Sequence, residues 1–230
     1  MASFDVTKKA VLWDLDETIY SRRDAARRLF LGLFRVCLYT DRGDAFLEEA
    51  VSYMMTRVKR NSMIHEDGFR ALLQRYPADK PYVYADCYDY YYAHMRSYIA
   101  PDAQTVEIIQ KLKARGLKQA IVTNVVPELL KHQKKKVQTL GIGALLDAVV
   151  YSAELGVHKP DRGIFDHAAR LLGVANEECL FVGDDADSDV VGARNAGMEV
   201  VWLDRWQDDR RFDADPKVHR VSAVSEYFTL

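Results

Sequence analysis

The feature that most constrains the fold is a series of five short apolar runs separated by helix-length segments. The runs are AVLW (10–13), AIVT (120–123), AVVYS (148–152), LFVG (180–183) and EVVWL (199–203). Runs of this length that are apolar on both faces are typical of parallel strands covered by helices. The pattern therefore predicts a parallel sheet that is buried on both sides.

Between these runs, segments with helical spacing end in a glycine. In AQTVEIIQKLKARG, Val106, Ile109 and Leu112 share one face and Gly116 follows, and the segments before Gly173 and Gly197 end in the same way. A glycine just past a helix commonly takes the left-handed conformation that terminates it. Strand, helix and glycine repeat from residue 101 to 204, which predicts an α/β fold with a Rossmann-like doubly wound sheet.

Residues 21–100 show a different pattern. They contain no strand-like run, and their charged, aromatic-rich segments have helical character with breaks near 40–44, 65–68 and 77–81. We predict an inserted all-helical domain at 21–100 and a core domain made of 1–20 and 101–230. The tyrosines of the last predicted helix could line a nucleoside or aryl pocket, but packing within the helical domain is the favoured interpretation.

Composition and charge narrow the function classes. Lys and Arg number 32 and Asp and Glu 34, for a net charge of −2, so no general field attracts nucleic acid or an anionic membrane. No apolar run reaches the about 20 residues that span a bilayer. The three cysteines, Cys37, Cys87 and Cys179, are scattered and favour reduced thiols in a cytoplasmic protein. Whether the protein is a monomer or a homodimer is left open.

Polar residues follow four of the predicted strands. In an open α/β sheet, ligands bind outside the carboxyl ends of the strands, so these residues are expected to meet. They are Asp14, Asp16 and Thr18 after the first strand, Thr123 and Asn124 after the second, Lys159 beyond the third, and Asp184, Asp185 and Asp189 after the fourth.

This set of side chains suits phosphoryl transfer. A carboxylate can attack phosphorus, and a divalent cation such as Mg²⁺ then screens the repulsion between carboxylate and phosphate. A lysine and a hydroxyl can hold the phosphoryl oxygens as the transition state forms. A second carboxylic acid can protonate the leaving oxygen and later activate water.

The motifs DLDET, VTN, HKPD and VGDDADSD, in this order, resemble the four signature motifs of the haloacid dehalogenase-like hydrolase superfamily. The resemblance implies that Asp14 is the nucleophile and a Mg²⁺ ligand, and that Asp16 is the general acid and base with its main-chain carbonyl on the metal. It also implies that Thr18 fixes the loop of the phosphate site, and that Thr123 holds a phosphoryl oxygen with help from the Asn124 N–H.

For the last two motifs, the resemblance implies that Lys159 bridges Asp14 and the phosphate. Asp184 is then the second carboxylate on Mg²⁺, preferred over Asp185 because it directly follows Gly183. Asp189 is expected to act on the metal from the outer shell or through water.

The resemblance also indicates a particular branch of the superfamily. Phosphatases and phosphomutases keep an aspartate at the position of Asp16, whereas dehalogenases lack it. The long stretch between Thr18 and Thr123, against the short one from Thr123 to Lys159, resembles the first-position (C1) helical cap, which goes with small soluble substrates.

We therefore expect a Mg²⁺-dependent phosphatase that acts on small phosphorylated metabolites, such as nucleoside monophosphates or sugar phosphates, through an aspartyl-phosphate. Two alternatives stay open: a phosphomutase, which would require a sugar bisphosphate, and a non-catalytic binding or regulatory module. Glu17 and Asp185 are interpreted as loop charges, and the basic run KHQKKK (131–136) as the solvated face of a helix.

Overall fold

The computed structural model describes residues 7–58, 64–204 and 210–228. The chain divides into two compact units. Residues 1–21 and 101–230 form one, called here the core unit, and residues 22–100 form the other, called the helical unit.

The core unit is built on a six-stranded parallel sheet with strand order β3-β2-β1-β4-β5-β6. This confirms the predicted α/β, Rossmann-like fold class. The strands are β1 (Ala10–Trp13), β2 (Lys118–Thr123), β3 (Ala148–Tyr151), β4 (Cys179–Gly183), β5 (Glu199–Leu203) and β6 (Val218–Val221). The first five coincide with the apolar runs. The edge strand β6 was not predicted, because its sequence VHRV is polar and half-buried along its length.

Strand β1 lies at the centre of the sheet and sets the position of the site. Its residues are completely buried, and Leu12 pairs with Ala120 on one side and with Phe181 on the other. The N–H of Asp14, just beyond the strand, donates to Val182 O at 2.8 Å. The residues that follow β1, β2 and β4 therefore emerge at one edge of the sheet.

Five α-helices accompany the strands in the described part of the core unit. They are α5 (Ala103–Ala114), α6 (Leu130–Thr139), α7 (Ser152–Leu155), α8 (Arg162–Leu172) and α9 (Val191–Asn195), where α1 to α4 belong to the helical unit. Helix α8 packs against the sheet, with the Phe165 and Phe181 rings 5.1 Å apart. Gly173, the predicted terminating glycine after α8, has φ +68°. Residues other than glycine rarely adopt this backbone conformation.

The helical unit contains four α-helices in its described residues, 22–58 and 64–100. They are α1 (Arg22–Cys37), α2 (Asp44–Arg57), α3 (Glu66–Arg75) and α4 (Tyr84–His94). The stretch 65–68, predicted as a break, is the start of α3. His65 Nδ1 accepts a hydrogen bond from Gly68 N at 3.0 Å and caps that helix.

Aromatic side chains pack the interior of the helical unit. Phe30 lies 5.6 Å from Phe34, 6.3 Å from Phe69 and 6.0 Å from Tyr91, measured between ring centroids. Tyr82 stacks on Phe69 at 6.1 Å. Such pairs add about 0.5–1.5 kcal/mol beyond the burial of their area. These contacts favour a packing role for the two tyrosines.

None of the helices in the ranges that the structure describes combines the length and the apolar character needed to cross a membrane.

Candidate active site

The loop after β1 carries the first motif in a tight turn. Ile19 N donates to Leu15 O at 3.0 Å, and Glu17 takes a left-handed backbone conformation with φ +66°. A non-glycine residue in this conformation costs about 1–2 kcal/mol, and such strain is concentrated at functional sites. Asp14 and Asp16, at the start of this turn, contact different side chains: Asp14 contacts Lys159 and Asp16 contacts Lys136.

A cluster of three carboxylates, two of them buried, forms where β1 and β4 end. Asp14, Asp184 and Asp189 each place a carboxylate oxygen within 4.8 Å of the others. Lys159 Nζ donates to Asp14 Oδ1 at 2.6 Å and to Asp189 Oδ1 at 2.7 Å, and its side chain is only 2% exposed. The structure thus brings together residues from three of the four motifs.

Burial and mutual repulsion perturb these groups. Burial, partly offset by Lys159 and reinforced by Asp189, raises the pKa of Asp14 to about 7. Burial, with the charges of Asp14 and Asp189, raises the pKa of Asp184 to about 9. Burial opposes the charge of Lys159, but Asp14 and Asp189 more than compensate and raise its pKa. The cluster holds more negative charge than one lysine neutralises.

This donor set fits a hard divalent cation. Carboxylate oxygens are the ligands that Mg²⁺ prefers, and a few of them usually suffice because the ion keeps several waters. The oxygens of Asp189 are already engaged, since Oδ1 accepts from Lys159 and Oδ2 accepts from the N–H groups of Asp184 and Asp185, at 3.1 Å each. Asp14 and Asp184 are therefore the better direct ligands.

The close packing of β4 explains why a glycine precedes Asp184. A Cβ added at Gly183 would lie 2.3 Å from Asp189 Oδ2, which is far inside van der Waals contact. Asp185 is turned away from the cluster, because its Oδ1 accepts from Asp187 N at 2.9 Å and Ser188 N at 2.8 Å and caps the π-helical turn Ala186–Val190. Asp184 therefore belongs to the carboxylate cluster, whereas the adjacent Asp185 caps the turn.

Asn124 holds the segment that carries Lys159. Its side chain donates from Nδ2 to Lys159 O at 2.9 Å and accepts at Oδ1 from Lys159 N at 2.8 Å. This paired contact fixes the backbone from which the buried lysine extends. The predicted phosphate contact concerns the Asn124 N–H and stays a prediction.

Asp16 is surrounded by donors that its own motif does not supply. Lys136 Nζ donates to Asp16 Oδ1 at 2.8 Å, Gln133 Nε2 donates to Asp16 Oδ2 at 3.1 Å, and Tyr20 also donates to Oδ1. Gln133 Nε2 donates in addition to Thr123 Oγ1 at 2.8 Å. Asp16 and Thr123 are therefore linked through one amide group.

These contacts correct the interpretation of residues 131–136 as a solvated helix face. Gln133 is 6% exposed, and the Lys136 side chain is 15% exposed. The sequence did contain a signal, because Gln133 and Lys136 lie on the same side of α6 as the buried Val137 and Leu140. Charge alone was a poor guide to exposure.

Two threonines complete the predicted set. Thr123, at the end of β2, is 1% exposed and faces Asp16 through Gln133. Thr18 is completely buried, and within the ranges that the structure describes its Oγ1 has no hydrogen-bond partner. An unpaired buried hydroxyl costs about 1–3 kcal/mol, so the loop keeps it at some expense in stability.

A parallel sheet with a cluster of carboxylates and one lysine at its carboxyl ends is the arrangement expected of the hydrolase class that the motifs indicate. The chain belongs to the haloacid dehalogenase-like hydrolase family, whose model matches residues 8–197.

Named relatives agree with this assignment. The chain is 35% identical to a glyceraldehyde 3-phosphate phosphatase of Methanopyrus kandleri over 86% of this chain and 84% of that protein. It is 38% identical to a phosphoserine phosphatase of Thermus thermophilus over 56% of this chain and 49% of that protein. The predicted family and the predicted class of enzyme, a phosphoric monoester hydrolase, are confirmed.

Solved structures share the fold. A HAD-hydrolase of Bacillus subtilis, bound to magnesium, superposes with a TM-score of 0.69 at 19% identity over 95% of this chain and 96% of that one. At this identity the likeness concerns the fold alone.

Proposed function

We propose that the chain is a Mg²⁺-dependent phosphatase that hydrolyses small phosphorylated metabolites through an aspartyl-phosphate on Asp14. The observation that carries the proposal is the buried contact of Lys159 with Asp14, 2.6 Å long, inside a cluster of three carboxylates. A lysine in this place can neutralise both the nucleophile and the phosphoryl oxygens that approach it.

In the first step, a carboxylate oxygen of Asp14 attacks phosphorus and the bond from phosphorus to the ester oxygen breaks. Lys159 holds Oδ1, so we assign the attack to Oδ2. In its protonated form, Asp16 gives its proton to the departing oxygen, which leaves as an alcohol, and Asp16 becomes the carboxylate that accepts from Lys136, Gln133 and Tyr20. Thr123 donates its hydroxyl to a phosphoryl oxygen, and its Oγ1 is held in place by Gln133.

In the second step, water attacks the phosphorus of the aspartyl-phosphate. Asp16, now a carboxylate, removes a proton from that water, and the bond from phosphorus to Asp14 breaks. Inorganic phosphate leaves and both aspartates return to their starting protonation states. Lys159 remains paired with Asp189 throughout, so its charge stays at the site.

The residues that would hold Mg²⁺ are Asp14, Asp184 and the main-chain carbonyl of Asp16, with Asp189 behind them. When bound, the ion screens the repulsion between the carboxylates and the phosphate dianion. The raised pKa values of Asp14 and Asp184 support this assignment, because they report a cluster short of positive charge.

The relatives' names support a preference among substrates. A protein that is 35% identical over 86% of the present chain is a glyceraldehyde 3-phosphate phosphatase. We therefore place three-carbon phosphates first among the small phosphorylated metabolites, ahead of nucleoside monophosphates and hexose phosphates. The predicted role of residues 21–100 as a C1 cap that contacts the substrate is retained as part of the proposal.

The proposal is tested by measuring phosphate release with Mg²⁺ from a panel of glyceraldehyde 3-phosphate, phosphoserine, nucleoside monophosphates and hexose phosphates. We expect turnover by the wild-type protein and none by Asp14→Asn. Absence of phosphate release from every member would contradict the phosphatase assignment. Isomerisation of a sugar phosphate that requires a bisphosphate would instead identify a phosphomutase.

A further inference from the structure

The side chains that surround Asp16 form a second polar group next to the carboxylate cluster. We call the residues Tyr20, Gln133 and Lys136 the Asp16 clamp. Lys136 Nζ lies 2.8 Å from Asp16 Oδ1 and 3.1 Å from Tyr20 Oη, and Gln133 Nε2 lies 3.1 Å from Asp16 Oδ2. Both carboxylate oxygens of Asp16 are therefore held by donors.

Gln133 connects this clamp to the predicted phosphate site. A side-chain amide nitrogen has two N–H groups, and Nε2 of Gln133 uses them on Thr123 Oγ1 and Asp16 Oδ2. The two acceptors come from different strand ends, and one buried amide fixes the distance between them. A carboxylate oriented in this way faces the place where Thr123 would hold a phosphoryl oxygen.

The fold supports the clamp from one rigid element. Gln133 and Lys136 are three residues apart on α6, so they lie on the same face one turn apart. Val137 and Leu140 on that face are buried, and Tyr20 is 1% exposed. A site built on a packed helix holds geometry better than one built on loops.

We propose that Gln133 and Lys136 are positioning residues that orient Asp16 for proton transfer to and from the ester oxygen and water. The inference rests on the proposed function, since it assigns a task within the same reaction. Misplacing a catalytic group by about 1 Å can cost on the order of 10²-fold in rate. The loss should appear only where the reaction needs the proton of Asp16.

The leaving group provides the test. An alkyl phosphate needs its leaving oxygen protonated, whereas p-nitrophenyl phosphate releases a stable phenolate without that help. Lys136→Met removes the donor and keeps the side-chain length. The measured quantity is the single-turnover rate of leaving-group release from glyceraldehyde 3-phosphate and from p-nitrophenyl phosphate, with Mg²⁺ present.

We expect Lys136→Met to slow release from the alkyl ester by about 10- to 100-fold, while release from the aryl ester changes by less than about threefold. Gln133→Leu should slow release from both esters, and more for the alkyl ester, because Gln133 also holds Thr123. Lys136→Arg, which keeps a charged donor, should restore most of the rate. The matched control is Lys134→Met on the same helix, whose partner is the half-exposed Glu154 at 2.5 Å. It should match the wild type on both esters.

A double-mutant cycle separates positioning from a general structural effect. In an Asp16→Asn background, Lys136→Met should cause no further loss on the alkyl ester, because the group it orients has gone. Equal losses on both esters, or a full additional loss in the Asp16→Asn background, would overturn the inference. A wild-type protein that releases phosphate from p-nitrophenyl phosphate and from every member of the metabolite panel at no detectable rate would overturn the proposed function and this inference together.

Discussion

The two aspartates of the first motif lie two residues apart, yet they sit in opposite electrostatic surroundings. Asp14 shares its site with Asp184 and Asp189, and Lys159 is paired with Asp14 and Asp189. Asp16 pairs with Lys136 and accepts further hydrogen bonds from the neutral Gln133 and Tyr20.

The difference separates two tasks. A cluster with surplus negative charge is a site that a cation completes, and it suits a nucleophile that must meet an anionic phosphate. A carboxylate whose charge the protein matches by itself is suited to hold one orientation while it moves a proton. Substitutions of Asp14, Lys159 and Asp16 perturb these two sites one at a time.

Asp14→Asn should have the largest effect. The variant keeps the shape of the side chain but removes the attacking oxygen, so kcat should fall by about 10⁴-fold or more. The measurement is phosphate release under saturating substrate and Mg²⁺. Because Asn also relieves repulsion in the cluster, the thermal stability of the metal-free variant should equal or exceed that of the wild type. Wild-type activity in Asp14→Asn would exclude Asp14 as the nucleophile.

Lys159→Met should damage both activity and folding. Removing one partner of a buried ion pair costs about 3–5 kcal/mol, because the remaining charge is left uncompensated. We expect the free energy of unfolding in urea to fall by about this amount without Mg²⁺, and by less with Mg²⁺ present. Lys134→Met is the control, since its ion pair is half-exposed and such pairs contribute about 1 kcal/mol or less. Equal stability of the two variants would contradict the assigned role of Lys159.

Asp16→Asn should affect catalysis without disturbing the metal cluster. Loss of a general acid and base typically costs about 10²- to 10⁴-fold. The loss in leaving-group release should be large for alkyl phosphates and small for p-nitrophenyl phosphate. The affinity for Mg²⁺, measured by titration calorimetry, should change by less than about threefold, because the predicted contact uses the main-chain carbonyl of Asp16. A uniform loss on both esters would show that Asp16 does not move the proton.

The smallest effect concerns pH and stability. The pKa of Asp14 is raised from 3.8 to about 7 and that of Asp184 from 3.8 to about 9, so the folded metal-free protein binds more protons than the unfolded chain between these values. The contribution of these two carboxyls to stability should be fullest below about pH 4 and should be lost as pH rises through their folded pKa values.

Mg²⁺ binds the deprotonated carboxylates, so its stabilising effect should grow over the same range. The measurement is the melting temperature with and without Mg²⁺ at several pH values. The Mg²⁺-induced increase should be larger at about pH 8 than at about pH 6. Asp184→Asn should flatten the dependence. A Mg²⁺ effect independent of pH would argue against a cluster that titrates in this range.

Much of the fold was readable from local pattern. Five strands were predicted from apolar runs, because a strand buried on both faces is apolar along its whole length and does not alternate with polar residues. Strand β6 was missed for the opposite reason, since an edge strand with the sequence VHRV carries no such run.

The site residues also divide into those that local sequence predicted and those that it missed. Asp14, Lys159 and Asp184 were predicted because each follows a strand within a recognisable motif. Gln133 and Lys136 were missed because their importance depends on where α6 lies relative to the loop after β1, which is a tertiary fact. Asp184 was preferred over Asp185 because it directly follows Gly183, and the structure adds the turn that draws Asp185 to the N–H groups of Asp187 and Ser188.

We propose that Asp14 carries the phosphoryl group during turnover. The direct measurement is a rapid acid quench of the enzyme mixed with substrate and Mg²⁺, followed by mass spectrometry of the peptide that contains Asp14. To accumulate the intermediate, Asp16→Asn is mixed with p-nitrophenyl phosphate, since that variant should accept the phosphoryl group and release it slowly. We predict one added phosphoryl group on Asp14, with none in Asp14→Asn. Turnover by the wild type together with an unmodified Asp14 peptide in the quenched Asp16→Asn reaction would contradict it.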